Sequence, residues 1–85
     1  MGQSYPTGIK SIQRGVVSLN SVTTGASTIS SVVTAKTELR NLGFFSSGTG
    51  VQLAQISLTN PTTITALCTA NAANQSVSWE LTEYY

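Results

Sequence analysis

Apolar and polar side chains alternate most cleanly near residue 80, where Val77, Trp79 and Leu81 interleave with Ser78, Glu80 and Thr82. A period of two marks a half-buried antiparallel strand. Residues 62–70 repeat the pattern, with threonines set against Ile64, Ala66 and Cys68, and residues 71–75 between the two read as a turn. Residues 51–59 predict a further strand, in which the apolar phase slips between Leu53 and Ile56. A bulge there accounts for the slip. Asn60-Pro61 punctuates the chain after it. Residues 43–50 are a glycine- and serine-rich loop holding Phe44 and Phe45, and residues 27–33 are β-branched and predict a strand. Residues 34–42 are read as strand rather than helix, because their surroundings are β and nine residues make a marginal helix. Residues 9–19 predict a strand whose phase changes at Gly15, the sign of a bulge or of close backbone approach.

Strands spaced about 8 to 12 residues apart and joined by short polar turns predict a single all-β domain over residues 1–85. The expected form is a small antiparallel β-sandwich of five to seven strands, with residues 1–8 as an extended N-terminal arm and a small barrel as the alternative. Ile29, Leu53, Ile64, Cys68, Val77, Trp79 and Leu81 are the expected core.

A chain of 85 residues buries only roughly 60 to 65% of the surface its unfolded form exposes, so a disulfide, a metal or partner subunits normally add to its stability. Cys68 is the single cysteine and there is no histidine. No intramolecular disulfide or structural zinc site can be built from that set, and without aspartate a calcium site is no better supplied. Association remains. Charged residues make up only 8% of the chain, against about 25% in ordinary domains, and serine and threonine supply the polarity instead. Hydroxyls can be buried against another protein at a modest cost that charges do not allow. The net charge of +1 comes without a basic patch, which disfavours nucleic acid as a partner. No apolar run has the length of a membrane span, and the first residues lack the charged and apolar regions of a signal peptide.

No catalytic constellation is expected. A Cys-His nucleophile or a histidine triad has no histidine to use. Glu80 and Glu83 differ in parity along one strand and face opposite sides, so they are expected to be solvated or paired at an interface. Gly48-Thr49-Gly50 lacks the spacing and the lysine of a phosphate loop. The Asn74-Gln75-Ser76 sequon has meaning only in a secreted chain. No cofactor and no metal are expected. The aromatic side chains are the remaining candidates for contact. Phe44 and Phe45 are either a core plug or an exposed anchor, Tyr84 and Tyr85 are costly to leave uncovered, and Trp79 packs in the core or touches a sugar or a neighbouring subunit.

The segment Gly8-Ile9-Lys10-Ser11-Ile12-Gln13-Arg14-Gly15, the middle stretch Thr28-Ile29-Ser30-Ser31-Val32 followed by Lys36 and Leu39, and the closing Ser78-Trp79-Glu80-Leu81-Thr82-Glu83-Tyr84 together resemble a group of short structural proteins of tailed bacteriophages and prophages. The strand spacing, with tryptophan in the last strand, is similar to the trimeric sandwich of H-type lectins. The resemblance implies a non-enzymatic virion protein made in the bacterial host cytoplasm. Its expected role is capsid decoration (cement), acting as a homo-oligomer with the trimer favoured, on partners such as the major capsid protein. The alternatives are a tail-fibre, baseplate or head-fibre module that binds a host glycan or receptor, and a free carbohydrate-binding module.

Overall fold

A computed structural model describes residues 8–48 and 53–85. Residues 1–7 of the expected arm, 49–50 of the expected loop and 51–52 of the expected strand lie outside the described residues. Six strands are formed: β1 (Ile9–Ser18), β2 (Thr24–Thr28), β3 (Thr37–Ser46), β4 (Ala54–Asn60), β5 (Thr63–Cys68) and β6 (Gln75–Tyr84), with a 3-10 turn at Thr34–Lys36 before β3. They make two three-stranded antiparallel sheets, ordered β1-β6-β3 and β2-β5-β4. The all-β sandwich is therefore the architecture. Side chains, not backbone ladders, cross its two seams. Ser27 Oγ donates to the Val16 carbonyl at 3.3 Å, Gln13 exchanges two hydrogen bonds with the Ser30 backbone at 3.1 and 3.0 Å, and Asn41 Nδ2 donates to the Ala54 carbonyl at 3.3 Å.

β6 is the central strand of its sheet, and its alternation sets the core. Val77, Trp79 and Leu81 point inward and are buried with Val17 and Leu19 of the first sheet's side, Ile64 and Ala66 of β5, and Ile29 and Val32. Half-buried Ala54, Ile56, Leu58, Leu39, Phe44 and Cys68 pack around them. Leu53, expected inside, is 65% exposed. It precedes β4, and the inward phase belongs to Ala54, Ile56 and Leu58. The expected bulge between Leu53 and Ile56 is absent, since Ala54, Gln55 and Ile56 pair in unbroken register with Cys68, Leu67 and Ala66. The irregularity lies at Leu58/Asn60, beside a turn in which Asn60 Oδ1 accepts the Thr62 backbone N–H at 2.9 Å.

Three other expectations shift. The β-branched run 27–33 is not one strand, because β2 ends at Thr28. Beyond it the chain crosses from one sheet to the other, held by Ile29 N–H to Thr62 carbonyl at 2.9 Å and Val32 N–H to Pro61 carbonyl at 3.0 Å. Its Ile29 and Val32 serve as plugs. The strand expected at 34–42 begins only at Thr37 and runs to Ser46, because β6 offers it partners from Glu83 to Gln75. Phe44 and Phe45 thus stand on a strand instead of a loop. Strand alternation puts them on opposite faces, a bulge at Asn41/Gly43 sets the phase that turns Phe44 inward, and Gly43 takes the positive φ of 148° that favours glycine. Gln75, assigned to a turn by composition, opens β6.

At Gly15 the register with Trp79 is continuous, so the reason for the glycine is close approach. A Cβ there would sit 2.6 Å from Trp79 Cζ2. Gly15→Ala is expected to force the buried ring aside and cost about 1–3 kcal/mol. Urea denaturation measures this, and an unchanged midpoint would show that the ring does not lean on β1.

Candidate functional site

The carboxylates do not converge. Glu80 faces outward from the β1-β6-β3 sheet, where Arg14 Nε donates to it at 2.7 Å. Glu83 faces inward and is only 3% exposed, which corrects the expectation of a solvated or interface-paired group. It accepts the Val33 backbone N–H at 2.9 Å and the Ser11 hydroxyl at 3.4 Å, with Lys10 Nζ at 4.0 Å. That arrangement ties the crossing 29–33 to the end of the sandwich. Among the described residues no three His, Cys, Asp or Glu side chains come together in a metal-holding group. Cys68 is half-buried, its thiol directed at the Val22 and Ala70 carbonyls at 3.5 and 3.4 Å, and Gln75 Nε2 donates to its Sγ at 3.5 Å.

The aromatic candidates separate by face. Phe44 packs against the core, whereas Phe45 stands 61% exposed on the outer face. Tyr85 is exposed, with its backbone N–H on the Gly8 carbonyl at 3.0 Å. Tyr84 is exposed on the outer face and donates its hydroxyl to Glu38 Oε1 at 3.0 Å. This hydrogen bond, followed by desolvation and the Glu38 charge, holds the Tyr84 phenol above its ordinary value of 10.0. Glu38→Gln removes the negative charge and leaves a weaker amide acceptor, so Tyr84 is expected to ionise at lower pH in that variant. Alkaline titration of tyrosinate absorbance, with Tyr84→Phe to assign the phase, reads the change. An unmoved phase would break the Tyr84–Glu38 link.

What distinguishes this molecule is the distribution of its charge. The chain's charged side chains are Lys10, Arg14, Lys36, Glu38, Arg40, Glu80 and Glu83. All belong to β1, β3, β6 or the 3-10 turn that leads into β3. The other sheet has none. Its outer face presents Thr24, Ala26 and Thr28 of β2, Thr63, Thr65 and Leu67 of β5, and Gln55, Ser57 and Thr59 of β4, as the pairings Thr24↔Leu67, Ala26↔Thr65 and Ser57↔Thr65 place them. At one end of that sheet a shallow depression of about 520 Å³ is lined by Leu53, Ala54, Gln55, Leu67, Cys68 and Thr69. Periodicity located β4 and β5 but not β2, and the sorting of charge between sheets required knowing that β1, β3 and β6 pair with one another.

Comparisons with protein-family models, with curated proteins and with solved structures returned no match.

Proposed function

We propose that this protein is a non-enzymatic structural subunit of a bacteriophage particle, a capsid decoration protein that works as a small closed homo-oligomer and attaches to another virion protein through its uncharged sheet. The observation that carries the reading is the segregation of charge. A protein that exposed both sheets to water would gain solubility from charges on each. Here one outer face has only hydroxyls, an amide and apolar groups, the set whose desolvation against a partner costs least. The resemblance of the chain's three segments to phage structural proteins supplies the biological setting.

The test mixes purified protein with empty shells of the phage that lack it and, separately, with intact host cells. Saturable binding to shells, lost in Thr65→Lys on the uncharged face and kept in high salt, is the expected result. Binding to host cells but not to shells would replace decoration with a receptor-binding tail or fibre module.

A further inference from the structure

We infer that the outer face of the β1-β6-β3 sheet is the surface by which one copy of this chain holds another. The inference rests on the homo-oligomer reading above and names the contact face and its partner, a second copy. Register fixes the relief of this face. Ser78 lies between Val16 and Gly43, and Ser76 between Ser18 and Phe45. The central strand therefore carries two small hydroxyl residues, walled on one side by exposed Val16. On the other side Gly43 has no side chain, and a Cβ added there would meet nothing within 4 Å. The result is a furrow over Ser78 and Gly43 with the exposed ring of Phe45 standing two residues along β3 and exposed Leu42 beside it. Knob and furrow occur on the same face, which is the relief a self-associating subunit needs, since each copy must present both halves.

The charges of this face fit the same occupant. One rung beyond the furrow Arg14, Glu80 and Arg40 lie side by side across the sheet, and Glu38 follows on β3 next to Tyr84. Two cations and two anions alternate. A partner carrying charge of one sign gains nothing from that pattern, whereas a copy brings the complementary pattern with it and uses it to set register. Area points to the strength. Three strands about 4.8 Å apart and ten residues long give a face of about 14 by 33 Å, so two such faces bury about 900 Å² before side-chain relief is counted. That lies between crystal-like contacts and the roughly 1,200 Å² where standard interfaces begin, and implies association in the micromolar range.

Sedimentation equilibrium at about 100 µM, well above a micromolar dissociation constant, is run on the wild type, Phe45→Glu, Ser78→Trp, Val16→Lys and, on the opposite sheet, Thr65→Lys, with circular dichroism and a melting curve for each. The substituted positions lie on outer faces, so at least two of the three variants of the β1-β6-β3 face are expected to keep the wild-type spectrum. Those that do should have a dissociation constant raised 100-fold or more, so that about half of the protein or more is monomer, while Thr65→Lys stays assembled. Folded variants of the β1-β6-β3 face that stay assembled, with Thr65→Lys dissociated, would overturn the face assignment and leave the oligomer standing. A monomeric wild type would bring down the oligomer reading and this inference with it.

Discussion

Trp79→Ala is expected to lower stability by about 3–5 kcal/mol, the range for removing a large buried aromatic. The ring is 4% exposed, and its cross-strand neighbours on the inner face are Gly15 and Asn41. Neither can fill the space: Gly15 has no side chain and Asn41 is held across the seam to the Ala54 carbonyl. A domain of this size has on the order of 4–13 kcal/mol in total, at about 0.05–0.15 kcal/mol per residue, so the variant should unfold at a much lower urea concentration. The indole Nε1 is buried without a hydrogen-bond partner among the described residues. Trp79→Phe removes that unsatisfied donor while keeping most of the ring, and is expected to be far milder. Equal losses in the two variants would place the ring's contribution outside core packing.

Gln75→Ala is the second large effect, at about 2–4 kcal/mol, the combined loss of a fully buried side chain's packing and of its hydrogen bonds. Gln75 is a fully buried side chain at the start of β6. Its amide Nε2 donates to the Leu19 and Val22 carbonyls at 3.0 and 3.3 Å, and its Oε1 accepts the Ser46 hydroxyl at 3.1 Å. One side chain thus joins the end of β1, the β1–β2 turn and the end of β3. Truncation leaves the Leu19 carbonyl without its side-chain donor in a dry site. Thermal melting measures the loss, and hydrogen exchange should show it concentrated at these three chain ends. A variant as stable as wild type would mean that the carbonyls find other donors at no cost.

These two residues also mark where the sequence was readable and where it was not. Val77, Trp79 and Leu81 announce an inward face because they are apolar, and the structure buries all three with Ile29 and Ile64. The same inward face continues to Gln75 and Glu83, but a polar residue at a buried position has no signature in a hydrophobic pattern. Its burial depends on partners such as Leu19, Ser46 and Val33 that are distant along the chain. Leu53 errs in the other direction: an apolar residue one step before its strand falls on the outward phase. Phe44 and Phe45 sit in a glycine-rich stretch that reads as loop, and only pairing with β6 makes it a strand. The exposed Phe45 was legible as a contact candidate, but the furrow beside it was not, because Ser78 and Gly43 meet only through long-range register.

The central claim is that this sandwich works as a closed oligomer whose cohesion is apolar, with few ion pairs to screen. Sedimentation of the purified protein at low salt and at about 1 M salt, where the Debye length falls to about 3 Å, tests it most directly. The account predicts the same discrete assembly in both conditions, with at most a small change in affinity from the Arg14, Glu80, Arg40 and Glu38 pattern. A folded monomer in both, or an assembly that dissolves in high salt, would contradict it.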